Sequence, residues 1–237
     1  MTERALYFRQ PSADAMVRSI LNGSKTQHRQ PMALGFPLAL SSGPALDWLH
    51  PNTEPEKQSY GFWFNDRTAI VSPFGGPGDY LWVRECFAYG GGTNGKPIVY
   101  RADWPELKRP CDSGKPYGGG FPDEKWSPSI HMPRDASRIT LLVKRVWVKH
   151  LQDISKEGAI AEGLSKCTKD DGRLWKYGIP DRDGLPGTDD DGWPWREWQV
   201  DPVEASLRLW NSIYAAKGFG FDEKPLVWAC EFERTPR

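Results

Sequence analysis

Apolar side chains recur along this chain at two spacings, and each spacing marks a kind of element. Met16, Val17, Ile20 and Leu21 fall on one face at helical spacing. Pro11-Ser12-Ala13-Asp14 supplies a start signal and Gly23 a stop, which predicts a short helix between them. Val203, Leu207, Trp210 and Tyr214 form a second stripe within residues 201–216, where Asp201 caps, Pro202 sits in the first turn and Glu204 completes a capping box. That stripe reads as core rather than as a binding surface. A shorter helix is predicted over residues 155–163.

Period-two alternation predicts strands over residues 5–8, 79–87, 98–101, 137–148 and 226–233. The second is entered through the turn-rich Gly75-Gly76-Pro77-Gly78, and residues 98–101 are expected beside it. In the fourth, Ile139, Leu141 and Val143 alternate, but Val146 and Val148 continue out of phase, so a bulge or bend is expected near Lys144-Arg145. Such a bend suits a small curved barrel. In the last strand Leu226, Trp228, Cys230 and Phe232 share one face, as in a half-buried strand. The expectation is an α+β chain folded as one domain over residues 1–237, interrupted by aperiodic insertions at about 33–74, 103–125 and 165–200.

Composition narrows the function classes. Lys and Arg total 31, and so do Asp and Glu, so no global field collects polyanions and any nucleic-acid contact must come from a local patch. Cys86, Cys111, Cys167 and Cys230 lie far apart, without the close pairs of zinc knuckles or a disulfide framework, and reduced, packed thiols are expected. Residues 1–4 lack the layout of a signal peptide, and no apolar run approaches the ~20 residues of a membrane span. The expectation is a soluble, cytoplasmic protein without a cofactor.

The densest chemistry lies in Lys25-Thr26-Gln27-His28-Arg29, which leaves the first helix on a connection that the helix can hold still. A second candidate patch gathers Ser129, His131, Arg134, Ser137 and Arg138, since two guanidinium groups near hydroxyls make a reasonable phosphate cradle. The alternative is that both arginines pair with Asp135, Asp79 or Glu85. Trp82 and Trp126 offer faces for a base to stack on, although with 12 tryptophans any one is more often core. His131 lacks a second histidine or cysteine at metal-ligand spacing, so no protein-bound metal is expected. Gly75-Gly76-Pro77-Gly78 and Gly118-Gly119-Gly120 lack the Gly-Lys-Ser/Thr end of a phosphate loop and read as turns. Ser206 and Ser212 have no nucleophile-elbow context. Asp189-Asp190-Asp191 beside Trp193, Trp195 and Trp198 reads as a solvated acidic run among tryptophans that anchor a loop by burial.

Taken in order, several segments resemble the ASCH domain, a PUA-like small β-barrel, in the long form found in bacteriophages and prophages. They are Lys25-Thr26-Gln27, Gly78-Asp79-Tyr80-Leu81-Trp82-Val83-Arg84-Glu85, Tyr100-Arg101-Ala102-Asp103, Trp126-Ser127-Pro128-Ser129-Ile130-His131-Met132-Pro133-Arg134, Ala136-Ser137-Arg138-Ile139, Leu151-Gln152-Asp153-Ile154, Ala159-Ile160-Ala161-Glu162-Gly163 and Trp210-Asn211-Ser212-Ile213. The resemblance implies a pocket for a nucleobase, a nucleoside or an RNA segment in the cytoplasm of a bacterial host. Some small ASCH proteins hydrolyse the acyl amide of N4-acetylcytidine with a lysine and a threonine from Lys-Thr-x-Thr and a glutamate from a later helix. Others look like ribonucleases or plain binders. Carried over by position, the lysine is Lys25 and the glutamate Glu162, while His28 stands where the second threonine would be.

A threonine beside a lysine can supply nucleophile and base, whereas histidine suits the base of an activated water. Glu162 would then hold a proton for the leaving nitrogen and Lys25 would stabilise the oxyanion. Thr26 points the other way on an extended chain and is not expected to replace the lost hydroxyl. Three readings stay open. One is a nucleic-acid or nucleotide binder using Lys25, Thr26, Arg29, Trp82, Arg84, Ser129, His131, Arg134 and Arg138, on RNA, a nucleoside or single-stranded nucleic acid. Another is a hydrolase of acylated cytidine. The third is an accessory protein with a degenerate site that meets a protein partner through its insertions.

Overall fold

The computed structural model describes residues 1–9, 12–32, 61–64, 68–89, 98–103, 126–188 and 192–236. Its frame is a five-stranded sheet. In chain order its members are β1 (Glu3–Tyr7), β2 (Gln27–Pro31), β5 (Tyr80–Arg84), β8 (Thr140–His150) and β11 (Leu226–Arg234). Across the sheet the order is β1-β5-β8-β11-β2. β1 runs parallel to β5, and every other neighbour is antiparallel. Three two-stranded hairpins stand apart from this sheet: β3 (Gly61–Phe64) with β4 (Thr68–Val71), β6 (Phe87–Tyr89) with β7 (Ile98–Tyr100), and β9 (Ser165–Thr168) with β10 (Trp175–Gly178).

The expected bend is present. Glu231 faces Arg145 but the next pair is Phe232 with Val143, so Lys144 is the extra residue on β8. No pairing among the described residues joins β1 to β2, so the expected barrel closure is absent and the sheet ends in two edges. The mixed α+β character is as the periodicities require.

Helix α1 (Ala13–Leu21) contributes Met16, Val17 and Ile20 to the core cluster that also holds Leu81, Val83, Ile139, Leu141, Trp228, Cys230 and Phe232 of the sheet and its approaches. Each such side chain, fully buried, contributes about 1.5–3 kcal/mol. Helix α2 (Lys156–Ala161) starts where the Ser155 hydroxyl accepts from the Gly158 amide. Helix α3 (Pro202–Tyr214) starts where the Asp201 carboxylate accepts from the Val203 amide. Glu204 makes no return bond, so the capping box is half built.

Two expectations need correction here. β11 is buried on both faces, because Val227 packs with Leu151, Trp210 and Tyr214 while Trp228, Cys230 and Phe232 join the main core. The region 165–200 is not all loop: it holds β9 and β10, and Trp193 and Trp198 sit in the core. Gly178 packs so closely there that a β-carbon would lie 2.6 Å from the Trp198 ring. Within 33–74, residues 61–64 and 68–71 form a hairpin and Phe74 is core. Residues 33–60 and 104–125, Cys111, Gly118-Gly119-Gly120 and Asp189-Asp190-Asp191 lie outside the described residues. No helix of the described chain is long and apolar enough to cross a membrane.

Candidate active site

Glu162 is the centre of the site, and the local backbone explains how it gets there. It is the C-cap residue of α2, and Gly163 turns the chain with φ of +99°, in the region that favours glycine. A β-carbon on Gly163 would also lie 2.6 Å from Ser19 Oγ and 3.1 Å from Lys25 Cβ, so only glycine lets α1, the Lys25 segment and α2 meet. The Thr26 amide donates to the Ala161 carbonyl and the Lys25 amide to the Ser19 carbonyl, clamping the segment between the two helices.

Three basic side chains then converge on one carboxylate. Lys25 Nζ donates to Glu162 Oε2 at 2.8 Å and to the Glu162 carbonyl at 2.8 Å. Arg29 Nη1 donates to Oε1 at 2.7 Å and to the Gly158 carbonyl at 3.2 Å, and Nη2 donates to Gln27 Oε1. Gly158 is needed for that reach, since a β-carbon there would lie 2.8 Å from the guanidinium. His28 Nδ1 lies 3.8 Å from Oε2, beyond hydrogen-bond length. Its ring is held edge-on between Phe8 and Phe74, at centroid distances of 5.2 and 5.8 Å. Lys25 is only 2% exposed and Glu162 8%, so this is a desolvated cluster and not a surface pair.

Burial sets the protonation states. It pushes the Lys25 ammonium down, with Glu162 acting in the opposite direction. It also pushes the His28 imidazole down, which leaves that ring neutral near pH 7. Burial disfavours the Glu162 carboxylate too, but Lys25, His28 and Arg29 outweigh it and hold the carboxyl well below the usual range. Glu162 is therefore charged in the resting cluster, whereas the role expected of it is to carry the leaving group's proton.

The cluster forms the wall of an inner pocket of about 40 Å³, room for a water or two, lined also by Phe8, Met16, Ser206, Leu209, Trp210 and Tyr214. Tyr7, Arg9, His28 and Tyr214 are shared with an adjoining outer cleft of about 410 Å³. That volume falls in the range of small-molecule sites, ~300–1,000 Å³. Its walls come from β1 (Ala5, Leu6, Tyr7) and β2 (His28, Gln30, Pro31), the two strands that a closed barrel would have paired.

Lys25, His28 and Glu162 are thus brought together, as the resemblance implied. Arg29, expected to contact a ligand, is buried and bonded to Glu162. Thr26 faces outward and serves through its backbone, accepting from the Phe232 amide. None of the second group lines the cleft. Arg138 makes a two-bond contact to Glu85, 2.8 Å at each, and another to Asp103. Arg134 pairs with Glu3 at 2.8 Å. The phosphate cradle expected from Arg134, Ser137 and Arg138 is therefore already filled by carboxylates, and Ser137 donates to the Val83 carbonyl. Trp82 is buried and carries the Arg84 guanidinium 4.7 Å from its ring centre, so its face is not open to a base. Arg84 donates to the Ile130 carbonyl. Ser129 and exposed His131 lie on that same turn.

Trp210 and Tyr214 are core, as the helical stripe predicts, and have a second position that the stripe does not show. They also wall the pocket, and a helical stripe does not reveal a gap in its packing. Phe8, Arg9, Phe74 and Ser206 carried no recognisable signal. Comparison of the chain with protein-family models, curated proteins and solved structures returns no match.

Proposed function

We propose that the outer cleft takes a nucleoside-type ligand and that the inner pocket hydrolyses an acyl amide on its base, as in the ASCH proteins that the chain resembles. The observation that supports this reading most is the convergence of Lys25, neutral His28 and ionised Glu162 on a water-sized pocket that shares four lining residues with a ligand-sized cleft.

The roles follow from the protonation states. His28 takes a proton from a water as its oxygen attacks the amide carbonyl. Lys25 uses two of its three N–H groups on Glu162, and the third stabilises the oxyanion. The carbon–nitrogen bond then breaks and the imidazolium returns its proton to the leaving amine, giving cytidine and acetate. Glu162 keeps Lys25 charged and lies beside the imidazolium as it forms. Filling of the second arginine patch by Glu85, Asp103 and Glu3 weighs against a broad nucleic-acid surface there.

A second reading has its own support: both Glu162 oxygens are already bonded, as in a staple that only ties β2 to α2. Incubation with N4-acetylcytidine, followed by chromatography of cytidine, separates the two. Turnover that His28→Ala and Glu162→Gln both remove supports the hydrolase. No turnover together with no saturable binding of cytidine would leave the staple.

A further inference from the structure

Two cations at the mouth of the cleft take no part in the chemistry above. Arg9 lies just beyond β1 and Lys217 just beyond α3, and both are exposed and line the outer cleft with Tyr7 and Tyr214. Each leans on a tyrosine. The Arg9 guanidinium is 5.6 Å from the Tyr7 ring centre and donates to the Tyr7 hydroxyl at 3.5 Å. Lys217 Nζ stands 5.5 Å from the centre of the Tyr214 ring. Burial pushes the Tyr214 phenol up to about 12, and the charge of Arg9 acts in the opposite direction. Both cations thus line one cleft, each against its own tyrosine.

Among the described residues no carboxylate lines the cleft, and none pairs with Arg9 or Lys217. Arg134, Arg138 and Arg208, by contrast, each hold an acid. In a chain of zero net charge, an all-cationic rim is a local arrangement and not a consequence of composition. An anion arriving there breaks no ion pair and displaces only cation–π contacts, which are weak at exposed sites.

We infer that Arg9 and Lys217 form a phosphate-binding rim, so that the preferred ligand is a phosphorylated nucleoside with its base toward His28 and its phosphate monoester at the mouth. The inference rests on the cleft being a nucleoside site. Arginine supplies two parallel hydrogen bonds to phosphate oxygens, and lysine adds a point charge. A free 5′-mononucleotide and the 5′-phosphorylated end of an RNA strand present the same group.

Isothermal titration of wild type, Arg9→Ala, Arg9→Lys and Lys217→Ala with cytidine and cytidine 5′-monophosphate tests the rim. Wild type should bind the monophosphate at least about tenfold more tightly. That ratio should shrink at high salt, fall toward one in Arg9→Ala, and be partly kept by Arg9→Lys. Equal affinity for the two ligands in wild type overturns the rim and leaves the cleft reading standing. Binding of neither overturns both. A 5′-phosphorylated trinucleotide that binds like the monophosphate identifies a strand end as ligand, and one that fails to bind identifies the free nucleotide. Both side chains are exposed, so unchanged melting temperatures should show that the variants fold.

Discussion

The Glu162 carboxylate balances two buried cations, and that asymmetry predicts unequal variants. Glu162→Gln strands Lys25 and Arg29 without a counter-charge and should cost about 3–5 kcal/mol in denaturant unfolding. Lys25→Met leaves Glu162 its bond to Arg29 and should cost clearly less. Equal losses would show that Arg29 contributes nothing to the cluster. The same groups set the pH response. Glu162 stays charged in the fold where the unfolded carboxyl, near ~4.3, takes up a proton. His28 stays neutral in the fold where the unfolded imidazole, near ~6.5, is protonated. In both windows the unfolded chain binds more protons, so stability falls as pH drops, by at most about 1.4 kcal/mol per pH unit for each group. Unfolding midpoints at pH 5, 6, 7 and 8 should show the decline beginning below about 6.5, and His28→Phe should flatten it there. Any hydrolysis should lose rate on the same acid side, since the base form of His28 is the working one.

Gly163 carries the element-level argument, because a single backbone turn joins α1, the Lys25 segment and α2. Gly163→Ala puts a side chain where φ is +99° and where Ser19 Oγ already stands. The cost should be of order 1–3 kcal/mol, with ligand binding lost alongside it, as thermal melting and titration will read. At the start of α3, Asp201→Ala should cost only about 1 kcal/mol and leave the pocket working. The elements themselves were legible from periodicity and caps: α1, α2, α3, β5, β8 and β11 all fall on the patterned segments, and the lost phase after Val143 marked the bulge at Lys144. The hairpin β9–β10 was missed because Lys166, Cys167, Lys176 and Tyr177 show no alternation. The Lys25–Arg29 segment stood out as a dense run of polar side chains, but Glu162 and its pairing with Lys25 were reached only through a resemblance. Nothing in the spacing of residues 25 and 162 announces a contact, which depends on two glycines whose use appears only in three dimensions. For Arg134 and Arg138 the carboxylate-pairing alternative holds and Glu85 was among its named partners, but Glu3 and Asp103, from two other segments, were not foreseen.

Among the described residues the frame of the molecule is a sheet that does not close. β1 and β2 face the cleft from opposite ends of the strand order, so the seam that would complete a barrel is occupied by the cavity. Among the described residues each strand therefore has one paired neighbour, β5 for the first and β11 for the second, while β8 and β11 are paired on both sides. Amides on the two edges should exchange with solvent by local opening, and those of β8 and β11 only by deeper unfolding. A ligand bound in the seam touches both edges at once and stabilises the folded state by about 2.7 kcal/mol at a hundredfold excess over its Kd. Hydrogen-exchange mass spectrometry with cytidine monophosphate at saturation should therefore show new protection in peptides covering residues 3–9 and 27–32. Peptides covering 140–150 should change least, being already slow. Protection that appears instead around residues 129–138 would move the ligand to the arginine patch and away from the seam.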